Sequence, residues 1–248
     1  MKPFYAVRRN QNDIIMLSPF LDTRQVISWD DEDIIIGTSS AGDTALKETI
    51  EYRLYSAIDY AVDGWIQELK YIPRLINSAL AFLVTYFFFS FVVRDPFPVI
   101  DEMLLAGGAA VAVYLWTAAK NRKSDLAMKR RLELKNLVDE AEFITDESLD
   151  EYEKLLHLYD EMAPLTLADK LSGNDERFET VRLPDNRNIM KEYMFNYLQQ
   201  EDRYKKILSL LEDTHNSDSS KERLSARLLT MAKNRKIDLP LLALYMNL

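Results

Sequence analysis

Two uncharged apolar runs, nine residues apart, constrain this chain more than any other feature. Ile76–Val93 (INSALAFLVTYFFFSFVV) has 18 residues and Met103–Ala119 (MLLAGGAAVAVYLWTAA) has 17. A hydrocarbon core about 30 Å thick takes about 20 helical residues, so each run sits at the short end of a span. Buried helices of a soluble core are the competing reading at this length. FLVTYFFFSFVV, however, is apolar around its whole circumference, and a helix with one wet side is not. The expectation is a two-helix transmembrane hairpin.

The flanks give the hairpin a direction. Lys70 and Arg74 precede the first run, and Lys120, Arg122, Lys123, Lys129, Arg130 and Arg131 follow the second. The connecting RDPFPVIDE sets Arg94 against Asp95, Asp101 and Glu102, and its Pro96 and Pro98 suit a tight turn. Lys and Arg near span ends mark the cytoplasmic side. Both termini are therefore expected in the cytoplasm, and the localisation expected is integral to a bacterial inner membrane. Tyr71, Phe97, Tyr114 and Trp116 are candidates for the two interfaces.

The rest of the chain is polar enough to fold in water. The net charge is -9, which disfavours nucleic acid as a partner because phosphates attract Lys- and Arg-rich surfaces. With no Cys, disulfides and thiolate chemistry are excluded, and the six Gly suit a helical protein. The fold class expected is a mainly α membrane protein: a transmembrane hairpin, a cytoplasmic helical bundle formed by both flanks, and a small β element near the N-terminus.

Four segments follow. Residues 1–43 carry short β-branched runs, IIML, VISW and DIIIG, that read as strands. Residues 44–72 form an amphipathic helix, capped by Asp43 or Thr44, with Leu46, Ile50, Leu54, Ile58 and Val62 on one face. Such a helix can lie at the headgroups, but its polar face carries Glu48, Glu51, Asp59, Asp63 and Glu68, which anionic lipid disfavours, so packing against the cytoplasmic helices is the favoured expectation. Pro73 ends or bends it. Residues 73–119 are the hairpin. Residues 120–248 form a helical domain. In it the second span runs on to Ala141, Ser148–Glu151 makes a capping box, and Gly173 ends a short helix. A loop covers 173–187, one long helix covers Asn188–Asp213, a linker covers Thr214–Ser220, a helix covers Lys221–Asn234, and IDLPLLALYMNL is expected to dock on the bundle or on a partner.

Few residues suggest chemistry. Asp30–Asp33 lacks the alternate spacing of a calcium loop and reads as a solvated turn. His157 and His215 stand alone, and no phosphate loop, dinucleotide fingerprint or nucleophile elbow is present. The expectation is no enzyme, no cofactor and no metal. If hairpins assemble in a ring, Asp95, Asp101 and Glu102 would form the pore mouth. The WDxxEP motif that the calcium uniporter family carries at such a turn is absent. Ala106/Ala110 and Gly108/Ala112 show small-xxx-small spacing, with Ser78 and Thr85 as the complementary face on the first helix. That face suits packing within the hairpin, or between copies in a homo-oligomer. The function expected is a membrane-anchored adaptor or structural subunit in contact with the lipid bilayer. Its cytoplasmic helices would bind a protein partner in a membrane complex. The alternative is an oligomeric two-span channel or effector with a cytoplasmic sensing domain.

Overall fold

The computed structural model describes residues 3–10, 13–20, 23–29, 34–93, 99–173, 186–213, 218–234 and 236–248. It is mainly helical, with a small sheet whose strands come mostly from the N-terminal segment. The chain divides into two compact units. One comprises Met1–Asp22, Glu32–Glu51 and Ala141–Leu248; the other comprises Thr23–Asp31 and Tyr52–Glu140.

The first unit is built on a sheet of order β2-β1-β3-β4. Its strands are β1 (Tyr5–Asn10), β2 (Asp13–Ser18), β3 (Ile35–Thr38) and β4 (Glu142–Thr145). β1 pairs antiparallel with both β2 and β3, whereas β3 and β4 pair in parallel, from Ile35↔Glu142 to Thr38↔Thr145. Two backbone-linked contacts lock this last pair. Asp146 N–H donates to the Thr38 carbonyl at 2.9 Å, and Ala41 N–H donates to Thr145 Oγ1 at 3.1 Å. Everything between Thr38 and Glu142 is thus one excursion from two neighbouring strands.

The IIML and DIIIG runs fall in β2 and at β3, as their β-branching suggests. VISW does not form a strand. Thr23–Ser28 is a 3-10 helix, and Arg130 Nη2 donates to the carbonyls of Ile27 and Trp29, both at 2.8 Å. Those carbonyls are taken by a distant side chain rather than a ladder. Strands β1 and β4 were not expected.

Helices α5 (Glu147–Glu161), α6 (Pro164–Ser172), α7 (Arg187–Gln200), α8 (Asp202–Asp213), α9 (Asp218–Lys233) and α10 (Leu239–Asn247) complete this unit. Leu149, Tyr152, Leu155 and Tyr159 of α5 are buried at helical spacing with Leu167 and Leu171 of α6. Phe4, Leu17 and Phe20 beside the sheet join the same core, as do Leu239, Leu242 and Leu244. The terminal apolar piece therefore docks on its own bundle. Gly173 closes α6 in the left-handed conformation, φ 75°, where a side chain would be strained.

Several boundaries differ from the sequence reading. The α5 cap is Asp146, not Ser148: its carboxylate accepts from Ser148 N–H at 3.0 Å and also binds Arg8 of β1. Strand β4 delivers Asp146 to that position, so the helix starts ahead of the capping box. Ser148 Oγ instead accepts from Asn186 Nδ2 at 2.7 Å, and Tyr152 donates its hydroxyl to Asn186 Oδ1 at 2.9 Å. The long helix expected over Asn188–Asp213 is two helices, because Glu201 adopts an extended ψ of 108°. Most of the 173–187 loop (174–185), and residues 214–217 of the linker, lie outside the described residues.

The second unit contains the 3-10 turn and the helices α1 (Thr44–Leu69, shared with the first unit), α2 (Tyr71–Phe87), α3 (Val99–Arg122) and α4 (Asp125–Glu140). Asp43 caps α1 by accepting from Ala45 N–H at 2.9 Å. Ile50, Leu54, Ile58, Val62 and Ile66 form its buried stripe. The break before α2 falls at Lys70. Pro73 sits in the first turn of α2, where a missing N–H is tolerated. The helix expected to run unbroken to Ala141 stops at Arg122. Lys123 and Ser124 make tighter bonds to the carbonyls three residues back, and α4 then restarts.

Two consequences can be measured. Asp146→Ala removes a cap, about 1 kcal/mol, and strips a largely buried guanidinium of an ion-pair partner. A loss of roughly 2–3 kcal/mol in denaturant unfolding is expected, and an unchanged midpoint would refute the shared role. Alkaline pH gives the second. Burial pushes the Tyr204 phenol up to about 12, with the donated Asp238 N–H opposing and the Asp238 carboxylate adding. Against an ordinary value of 10, the folded chain holds this proton more tightly. Its contribution to stability is complete below about pH 10 and is lost as the pH rises through about 12. Tyr204→Phe should cost about 1 kcal/mol at neutral pH. It should also flatten the fall of stability between those two pH values, measured by urea titration; an equally steep fall would sink the assignment.

Candidate functional site

The sequence placed its candidate residues on the hairpin and its polar base, so the site is built from α2 and α3. Both carry windows long and apolar enough to cross a membrane, and only 6% of each window is buried. They pack on each other along one narrow face. On α2 this face holds Arg74, Ser78, Phe82 and Thr85, and Phe89 just beyond its end continues it, all buried or half-buried at three- to four-residue spacing. On α3 it holds Ala106, Ala110, Tyr114 and Thr117. Ser78 Oγ donates to the Ala110 carbonyl at 2.9 Å, which fixes the register of the pair.

The opposite faces are apolar and bare. Val84 is 69% exposed and Leu104 70%, and Leu80, Leu83, Phe87, Leu115 and Trp116 are exposed with them. After Phe87 the backbone widens to a π-helix over Phe88–Val93. Aromatic rings run along this end: Phe82 stacks on Tyr86 at 6.2 Å and Phe87 on Phe91 at 5.6 Å.

The small-residue face divides in two. Ala106 is fully buried and Ala110 half-buried against α2. Gly108 and Ala112 are exposed, and a Cβ at Gly108 would meet nothing within 4 Å. Within-hairpin packing thus uses the first pair and leaves the second outward. Asp101 and Glu102 lie in the first turn of α3, where carboxylates favour the positive end of the helix dipole. Asp95 lies outside the described residues, as do Arg94, Phe97, both turn prolines and Asp30–Asp33.

The basic residues after α3 are divided between partners and solvent. Arg131 binds Asp63, lies 3.6 Å from Asp59, and donates to the Arg122 carbonyl at 2.8 Å. Lys135 reaches Asp59 at 3.0 Å, and Tyr55 donates to Asp139. Arg130 holds the 3-10 turn and lies 3.3 Å from Glu133. Arg122 lies 3.8 Å from Asp63. Lys129 is 77% exposed, Lys123 is exposed, and Lys120 sits 5.4 Å over the Trp116 ring. Part of the α1 acidic face is therefore ion-paired to α4.

The sequence reading counted Arg74 only as a flanking charge. In the fold it is 7% exposed, bonded to Gln67 and stacked 4.3 Å over the Tyr114 ring. Gln67 Nε2 in turn donates to the Ala118 carbonyl at 3.0 Å. The Arg74 Nε is buried with no hydrogen-bond partner. Tyr114, a candidate for an interface, lies next to this cation.

No family, curated protein or solved structure matches this chain. Among the described residues no group of three or more His, Cys, Asp or Glu can hold a metal. His157 pairs with Glu161 at 3.3 Å on an exposed helix face, and His215 lies outside the described residues.

The divided small-residue face can be tested with two substitutions. Ala106→Leu overpacks a closed contact and should cost about 1–3 kcal/mol of hairpin stability. Gly108→Leu should leave thermal stability in detergent unchanged or slightly raised. A larger loss at Gly108 than at Ala106 would place a second helix on the outward face.

Proposed function

We propose that this chain is a membrane-anchored adaptor or structural subunit. The α2/α3 hairpin anchors it in an inner membrane, and its larger, sheet-based helical unit binds a protein partner or complex. The observation that carries the anchor is the bare apolar surface on both helices, which water would not tolerate at this extent. A transmembrane hairpin also explains why the outgoing strand β3 and the returning strand β4 are hydrogen-bonded neighbours. An even number of spans returns the chain to the side it left. The exposed Lys120, Lys123 and Lys129 favour that side being cytoplasmic. Against a channel, the paired face carries no charge between Ser78 and Phe89.

The chain has no native Cys, so single substitutions report cleanly. Asp101→Cys should react with a membrane-impermeant maleimide on intact cells. Lys129→Cys and Glu161→Cys should react only after permeabilisation. Labelling of Glu161→Cys from outside would overturn the orientation. In nanodiscs, a single copy held by a larger co-purifying complex is the expected state. A closed ring of hairpins around an axial path would instead establish the channel reading, with Asp101 and Glu102 at its mouth.

A further inference from the structure

The cations that flank the two apolar runs are not treated alike. After the second run, Arg122 and Arg131 meet Asp63, Lys135 meets Asp59, and Lys129 and Arg130 meet Glu133. Before the first run, Lys70 and Arg74 are ion-paired to no carboxylate among the described residues. They stand one helical turn apart, since Arg74 N–H donates to the Lys70 carbonyl at 3.1 Å. Like charges at this spacing repel. Asp59 and Asp63 of α1 are engaged by α4, and Glu68, two residues before Lys70, is exposed and forms no ion pair.

Arg74 is also the buried member of this pair, at 7% exposure. Its Nη1 donates to Gln67 Oε1, and the Tyr114 and Tyr71 rings lie 4.3 and 5.9 Å from the guanidinium carbon. Those contacts shelter the charge without balancing it, and Nε keeps a donor that nothing in the chain accepts. A buried cation without a counter-charge is costly. A phosphate answers both needs. The guanidinium fork matches its oxygens, and an ammonium one turn away adds a point charge. On the proposed topology this pair lies at the cytoplasmic end of the first span, at the level of lipid phosphates. Lys70 is half-buried and Tyr71 is exposed beside it, which leaves a side of approach. Further along α2, Leu75, Ile76 and Leu80 present a bare apolar surface for acyl chains. A zwitterionic headgroup would set its own ammonium against Lys70, so a net anionic one fits better.

We propose that Arg74 and Lys70 together hold the phosphate of one anionic phospholipid of the cytoplasmic leaflet, with its acyl chains along Leu75, Ile76 and Leu80. The inference rests on the transmembrane reading and names a lipid ligand for the base of the hairpin.

The test uses the full chain in mild detergent and native mass spectrometry, with phosphatidylglycerol, phosphatidylcholine or inorganic phosphate added. Phosphatidylglycerol should be retained as a single copy, about ten-fold more tightly than phosphatidylcholine. Arg74→Gln should weaken its retention about ten-fold and Lys70→Gln about five-fold. Arg74→Lys, which keeps the charge and loses the fork, should fall between wild type and Arg74→Gln. Lys123→Gln, an exposed change outside the pair, should leave retention unaltered. Thermal midpoints in detergent serve as the folding control; if Arg74→Gln is unfolded, Lys70→Gln alone decides. Retention that ignores headgroup charge, or that Lys123→Gln lowers as much as Lys70→Gln, overturns the proposal. So does displacement of the lipid by millimolar inorganic phosphate, which would mark a general anion site. If Arg74→Gln leaves lipid retention unchanged and instead releases a co-purifying protein, the counter-charge is a carboxylate of that partner and the lipid is excluded. The two readings fail separately. A hairpin inserted as expected that holds both lipids alike keeps the anchor and removes the lipid site. A chain that stays soluble without detergent removes the anchor itself.

Discussion

The parallel pairing of β3 with β4 is the contact on which the rest of this architecture depends. It ties together two points of the chain separated by every residue of the helical excursion, from Thr38 to Glu142. Parallel neighbours always require a crossover, usually a single helix. Here the crossover has grown to α1, α2, α3 and α4. Closing a long loop costs little more than closing a short one, about 0.6 kcal/mol per doubling of length. A modest ladder, reinforced by the Thr38–Asp146 and Ala41–Thr145 bonds, can therefore close it. Asp146 then serves the next element as well, capping α5 and binding Arg8 of β1. One carboxylate links the closure of the excursion to the first helix of the bundle that follows.

Along the excursion the physics changes with position. Within the second unit, α1 and α4 are joined by ion pairs, Asp59 and Asp63 with Arg131 and Lys135. These groups are part-exposed, so each pair adds little stability. Their value is register, since a shift of one helix against the other would set like charges together. Toward the turn, α2 and α3 hold each other through Ala106, Ala110 and one Ser78 hydrogen bond. Close backbone approach at small residues supplies packing that does not rely on expelling water. Arg131, one of the basic residues that follow the second apolar run, also makes these pairs. A count of charges is blind to that double use.

What the sequence reveals is mostly local. The Asp43 cap, the α1 stripe, the α5 face and the Gly173 stop each depend on residues within a few turns, and they read correctly. The misses are non-local. Strand β4 is only four residues, and although Phe143, Ile144 and Thr145 favour strands, so short a run pairs only because β3 lies beside it. VISW has strand-like branching, yet Arg130, about a hundred residues away in sequence, takes its carbonyls. The breaks at Glu201 and at Lys123–Ser124 contain neither Gly nor Pro, so no breaker announces them. In the hairpin, spacing alone put Gly108 and Ala106 on equal terms. Only the partner helix separates the buried pair from the exposed one.

Arg74 is the clearest case of chemistry that composition hides. A Lys at this position would carry the same charge but a compact, strongly hydrated head. The planar, weakly hydrated guanidinium sits over the Tyr114 ring and donates to Gln67. Neither partner is an acid, so the contact does not neutralise the cation. It shelters the cation where the apolar run begins. On the proposed topology this fixes the depth of the hairpin, because drawing an unneutralised charge further into hydrocarbon is costly. Gln67 extends the restraint to α3 through the Ala118 carbonyl, so both spans are held at one level. On that topology the exposed apolar faces of α2 and α3 need no charged anchor of their own, because position is set at the base of the hairpin.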